Sequence, residues 1–195
     1  MLLAQALLQN LAKNQTRPAW RWLGKETLVK DMLQSISRLS YLYQHEIGSE
    51  QRVAFFAGNS PAVITTFFAL TNIKTVIIPV DPSLPPADAA KWIRDSKATH
   101  LAITSDLLNQ ARELVQNERL NIPIIEIEKK RGGEYDTSFT PPPENTPKET
   151  DVILLLRTGG TSGKPKFVAF THKQLQAAAM AVKTHYRYMP TDRVL

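Results

Sequence analysis

Residues 158–166 read Thr-Gly-Gly-Thr-Ser-Gly-Lys-Pro-Lys. Three glycines, three hydroxyl side chains and two lysines within nine positions are the means to grip an anion. Gly159, Gly160 and Gly163 let the backbone curl and bring its N–H groups close to an oxyanion. The hydroxyls of Thr158, Thr161 and Ser162 can donate to phosphate oxygens, and Lys166 or Lys164 can supply positive charge. A polyphosphate needs this combination, because its charge must be met by many donors without steric obstruction. The same composition also suits a solvated hairpin loop, and the residues alone leave both readings open. The loop is not a Walker A sequence: the places of that motif's first glycine and of the hydroxyl after its lysine hold Thr158 and Pro165. Nor does a G-x-G-x-x-G fingerprint open a helix after a strand.

Such a loop needs elements to hold it. Apolar β-type runs flank it at residues 151–156 (DVILLL) and 167–170 (FVAF). Thr171 and Gln174 then form a capping-box pattern that opens a helix running to about Tyr188. Upstream, strands are expected at residues 52–57, 75–80, 100–104 and 122–127, with Pro79 breaking the second and Pro123 placing the fourth at an edge or start. Val29, Leu33, Ile36, Leu39 and Tyr43 fall at helical spacing across residues 26–46. Ser60 and Pro61 read as N-cap and first turn of a helix to about Asn72. A proline cluster leads to a helix near residues 87–96, and Ser105 reads as the N-cap of another over 106–117. Residues 1–12 suggest an amphipathic helix with Leu3, Leu7, Leu8 and Leu11 on one face. Strands apolar on both faces, alternating with helices of about ten residues or more, predict an α/β fold with a mostly parallel sheet flanked by helices.

Residues 129–150 break this rhythm. Gly132, Gly133, Pro141, Pro142, Pro143 and Pro147 sit among polar residues, which reads as a connector. The expected organisation is an α/β subdomain over 1–128, the Pro-rich connector over 129–150, and the start of a second α/β unit carrying the loop over 151–195. Residues 193–195 look like the entry to a further buried strand, so the chain reads as a fragment of something longer.

The run over residues 157–172 (RTGGTSGKPKFVAFTH) resembles the phosphate-loop signature of AMP-forming acyl-CoA synthetases, nonribosomal peptide synthetase adenylation domains and luciferases. The family pattern is (Y/F/L)-T-S-G-(T/S)-(T/S)-G-x-P-K-G-V-x-x-(T/S)-H. Thr158, Gly160, Thr161, Ser162, Gly163, Pro165, Lys166, Val168, Thr171 and His172 match it. Asn59-Ser60-Pro61, Pro79-Val80-Asp81-Pro82, Asp95-Ser96-Lys97-Ala98, Asp151-Val152 and Asp192-Arg193-Val194-Leu195 are similar to that family's N-terminal region. The likeness covers roughly residues 20–195, about the first third of a full-length synthetase. Two departures from the pattern carry weight: Gly159 removes one hydroxyl donor, and Phe167 stands where a glycine follows the lysine.

The resemblance implies that a carboxylate attacks the α-phosphate of ATP·Mg²⁺, giving an acyl-adenylate and pyrophosphate, after which a thiol such as that of CoA displaces AMP. It assigns Thr158, Thr161, Ser162 and Lys166 to phosphate contact and Gly159, Gly160 and Gly163 to backbone approach, and leaves Lys164 to solvent. Catalytic residues, the acidic residue that positions Mg²⁺, the adenine and ribose sites and the acyl pocket are expected downstream, so this stretch alone is expected to be inactive. The expected partners are ATP, a small carboxylic acid and the remainder of the synthetase. A non-catalytic phosphate-binding module derived from such an enzyme, or an α/β interaction domain, are the alternatives. His172 reads as a residue of a capped first turn; His45, His100 and His185 have no motif around them.

Composition sets outer bounds. The chain has 195 residues, 43% apolar and 22% charged, with 13 prolines and 8 glycines, which is globular rather than disordered or low-complexity. With no cysteine, disulfides, thiolate catalysis and iron–sulfur clusters are excluded. That is compatible with a reducing, cytoplasmic setting; no apolar run is long enough to span a membrane. Twenty-four Lys and Arg against 18 Asp and Glu leave a charge of +6, which favours anionic partners. Lys129-Lys130-Arg131 is the densest basic run and has no aromatic interleaving, so nucleic acid is not expected.

Overall fold

The computed structural model describes residues 2, 14–127, 146–158, 166–189 and 192. The first elements are β1 (Pro18–Trp22) and β2 (Lys25–Leu28), an antiparallel hairpin. Leu23 (φ 48°) and Gly24 (φ 77°) both take left-handed backbone at its tip, the turn that matches strand twist. This hairpin corrects the helix start expected at residue 26. Glu26 faces Arg21 across the ladder and accepts from its guanidinium at 3.1 Å, so the chain stays extended until α1 (Val29–Glu46).

A six-stranded sheet forms the centre, built from β3 (Arg52–Phe56), β4 (Val76–Pro79), β5 (His100–Ile103), β6 (Ile124–Glu126), β7 (Val152–Arg157) and β8 (Phe167–Thr171). Its order is β6-β5-β3-β4-β7-β8. The first five strands run parallel, and β8 returns antiparallel to β7. The mostly parallel, helix-flanked sheet read from the sequence is therefore the fold. Consecutive side chains point to opposite faces of a strand, and β3 feeds two cores at once. Val53 and Phe55 pack with Tyr43 and Ile47 at the end of α1 and with Ala69 and Leu70 of α2 (Pro61–Thr71). Ala54 and Phe56 pack with Ala90 and Ile93 of α3 (Pro86–Asp95) and Ala111 and Leu114 of α4 (Leu108–Asn117).

Local chemistry accounts for most boundaries. Ser60 accepts from the Val63 N–H at 3.3 Å with Pro61 in the first helical turn, as the sequence indicates. Ser105 does not cap α4, contrary to expectation: a 3₁₀ turn over Ser105–Leu107 precedes that helix. The Ser105 hydroxyl instead donates to Glu126 Oε1 at 2.7 Å, a charged acceptor stronger than anything the helix start offers. β6 lies at the sheet edge, where Pro123 loses nothing by lacking an N–H, and its carbonyl accepts from Leu101 at 2.9 Å.

The last helix, α5 (His172–Tyr186), ends two residues earlier than its sequence pattern suggests, because Arg187 turns left-handed (φ 53°). The helix expected in residues 1–12 lies outside the described residues apart from Leu2, as does the connector up to residue 145. The segments on either side of that connector contribute strands to one sheet, with Ile77 of β4 opposite Leu154 of β7.

Candidate functional site

β7 is apolar because it runs inside the sheet: Ile153 and Leu155 are buried, and the strand lies between β4 and β8. Being parallel to β3 and β4, it delivers its C-terminal end to the side of the sheet where theirs emerge. Ligands of open α/β sheets bind outside this end. β8 then carries the chain back, with Arg157 opposite Phe167 as the last rung.

Beyond that rung the loop is tied twice. The Thr158 N–H donates to the Lys166 carbonyl at 2.9 Å, and the Lys166 N–H donates to Thr158 Oγ1 at 3.1 Å. Both residues are exposed. The Thr158 hydroxyl is an acceptor in this clasp and keeps its own proton to donate outward. Of the seven predicted phosphate-site residues, the structure thus brings Thr158 and Lys166 together at the loop base. Gly159, Gly160, Thr161, Ser162 and Gly163 lie outside the described residues, as do Lys164 and Pro165. Phe167 packs against the core shared by Leu155, Ile78 and Ile93, so its bulk is spent on the sheet rather than on the loop exit.

The sequence reading missed what stands beside this hairpin. The Arg157 guanidinium lies over the Trp92 ring of α3, 5.1 Å from its centroid, a cation–π arrangement. Trp92 also lines a cavity of about 690 Å³ outside the ends of β3 and β4. Its walls are largely apolar, including Phe55, Phe67 and Ile77, with Asn59 and Asp81 among its polar members. Ser83 donates to Asp81 Oδ1 from its N–H at 2.8 Å and its hydroxyl at 2.7 Å, holding that carboxyl below the usual range. A large aromatic on a helix whose other inward residues are Ala89, Ala90 and Ile93 was the available signal for Trp92.

His172 takes the first position of α5 and is fully buried. Its backbone N–H donates to the Asp151 carbonyl at 3.3 Å, while burial pushes its imidazole down to about 4, partly opposed by the Asp151 charge. The ring is neutral and enclosed at pH 7, in keeping with a residue of a capped turn. His45 sits 2.7 Å from the Tyr41 carbonyl, and His185 meets Tyr186 edge to face. Among the described residues no three His, Asp or Glu side chains converge as metal ligands, and no helix is long and apolar enough to cross a membrane.

Residues 8–195 match the family model described as AMP-binding enzyme, which takes in both the sheet and the clasped hairpin. The chain belongs to the AMP-binding enzyme family. Over 124 residues this AMP-binding chain is 30% identical to feruloyl-CoA synthase of Amycolatopsis sp., a match covering 64% of it and 24% of that protein. It is 24% identical over 192 residues to a linear gramicidin synthase polypeptide of Brevibacillus parabrevis, covering 98% of it and 2% of that protein. O-succinylbenzoate coenzyme A synthetase from Bacillus subtilis, solved in complex with AMP, shares its fold at a TM-score of 0.76 and 16% identity, over 96% of the chain and 47% of that structure. The luciferase-like enzyme of Zophobas morio does so at 0.80 and 16%, over 93% and 45%. The AMP-binding chain thus spans less than half the length of each of these proteins.

Proposed function

We propose that the chain is the N-terminal part of an ATP-dependent, AMP-forming carboxylic acid–thiol ligase of the cytoplasm, with CoA as the thiol. The observation that carries this reading is the double tie between Thr158 and Lys166. It closes a glycine- and hydroxyl-rich loop at the ligand-binding end of a parallel sheet, in a chain of the AMP-binding enzyme family. Feruloyl-CoA synthase and 3-hydroxybenzoate--CoA/4-hydroxybenzoate--CoA ligase of Thauera aromatica among the relatives support a CoA acceptor and a small carboxylic acid as substrate.

In this reading the carboxylate oxygen attacks the α-phosphorus of ATP. The bond to the β-phosphate oxygen breaks, and pyrophosphate leaves carrying the electron pair. The thiol then attacks the acyl carbon and AMP departs. The chain's part is the first leaving group. The Thr158 hydroxyl, the Lys166 ammonium, the Thr161 and Ser162 hydroxyls and the N–H groups of Gly159, Gly160 and Gly163 meet the β- and γ-phosphates and neutralise charge as it gathers there. Preorganised donors of this kind are the main lever in such chemistry. Mg²⁺ would supply further charge neutralisation when bound; among the described residues no group of three or more His, Asp or Glu side chains gathers to hold a metal ion.

Calorimetric titration of the 195-residue chain with ATP tests the assignment. Lys166→Ala is expected to weaken binding about tenfold, as loss of a charge-assisted contact does. Unchanged affinity would overturn it. Because the adenine, ribose and acyl sites are assigned elsewhere, ATP–pyrophosphate exchange by the chain alone is expected to stay at background.

A further inference from the structure

We propose that Arg157 is a second cation for the phosphate chain of the nucleotide, seated by Trp92. This rests on reading residues 158–166 as a phosphate loop and adds a residue that the family pattern does not contain. Where that pattern has Tyr, Phe or Leu before the threonine, this chain has Arg157; where it has a hydroxyl after the threonine, this chain has Gly159. One donor is lost from the loop, and a cation is gained immediately before it.

Geometry favours a ligand-directed role for that cation. Arg157 ends β7 at the C-terminal side of the parallel strands, one residue before the clasp. The residue is half-buried, and its guanidinium rests on the Trp92 ring at 5.1 Å. Among the described residues no carboxylate or carbonyl accepts from it; the neighbouring cations Arg94 and Lys91, by contrast, both have acidic partners in Glu118 and Asp95. A guanidinium meets an aromatic ring with its face and an oxyanion with its edge, so stacking leaves its N–H donors available for phosphate. The stack also restrains a long side chain in advance of binding, which lowers the ordering cost when the anion arrives. Lysine lacks the planar fork for this double engagement, and leucine lacks both charge and donors.

The test uses the 195-residue chain with Trp20→Phe and Trp22→Phe, which leaves Trp92 as the only tryptophan. Sodium tripolyphosphate and ATP are titrated by calorimetry and, in parallel, by tryptophan fluorescence. Arg157→Leu is expected to weaken both ligands about tenfold, and Arg157→Lys about threefold, because the charge remains without the fork. Trp92 emission is expected to change on adding tripolyphosphate while Arg157 is present and to stay constant after Arg157→Leu.

If Arg157→Leu and Arg157→Lys bind tripolyphosphate as tightly as the unaltered residue while Lys166→Ala loses it, the loop reading stands and the role of Arg157 is overturned. If neither Arg157→Leu nor Lys166→Ala alters affinity, both fall. Should Arg157→Leu fail to fold, Arg157→Lys decides: an unchanged affinity and an unchanged fluorescence response sink the proposal.

Discussion

Burial strips water from the imidazole of His172 and pushes it down to about 4, although Asp151 nearby pulls the other way. In the unfolded chain the same ring titrates near 6.5. Below that value the unfolded state takes up a proton that the folded state refuses. Stability is therefore complete above about pH 6.5, falls as pH drops toward 4, and levels off below. The expected loss across that window is on the order of 2 kcal/mol. Urea denaturation between pH 4 and 7 checks it: His172→Leu should flatten this part of the profile, and an equally steep profile in that variant would assign the slope to other groups. The identity of His172 was plain in the family-like motif. Its enclosure was not, since a first-turn histidine is ordinarily wet.

Capping distinguishes two helices whose starts look alike in the sequence. At α5, Thr171 accepts from the Gln174 N–H at 3.2 Å and the Gln174 side chain accepts from the Thr171 N–H at 2.8 Å, a complete capping box. Thr171→Ala should cost about 1 kcal/mol in equilibrium denaturation. At α4 the apparent cap, Ser105, is engaged with Glu126 across the β6 edge. Ser105→Ala and Glu126→Ala should each cost less than about 1 kcal/mol, and their double-mutant cycle should show coupling of about 0.5 kcal/mol or more. Additive effects would show that Ser105 acts on the helix after all. Local pattern settles a cap only when no stronger acceptor reaches it from a distant strand. The same limit hid the β1–β2 hairpin, whose strand character at Lys25–Leu28 depends on pairing with Pro18–Trp22 rather than on a periodic run of its own.

One sheet joins the two cores, so damage on either side should be felt by both. Phe55, 6% exposed, belongs to the α1–α2 side, and Phe56, 1% exposed, to the α3–α4 side. Phe55→Ala and Phe56→Ala should each lower stability by about 3–5 kcal/mol and shift a single cooperative transition. Two separable transitions in either variant would contradict a shared core. β7 and β8, which follow the proline-rich connector in the chain, extend this sheet, with β7 paired to β4.

Chain order alone was enough for the alternation of strands and helices, the Ser60 and Thr171 caps and the family-like loop motif, while Pro123 left β6 open between an edge position and a strand start. Each of these depends on residue type and on neighbours a few positions away. The pairing of Thr158 with Lys166 could be guessed from a loop between two β runs, but the meeting of Arg157 with Trp92 could not. Sixty-five positions separate those two residues. Only the order β3-β4-β7 and the packing of α3 over that face bring a guanidinium and an indole together beside the ends of parallel strands. Strand order is set by burial summed over the entire sheet, a quantity no local window contains.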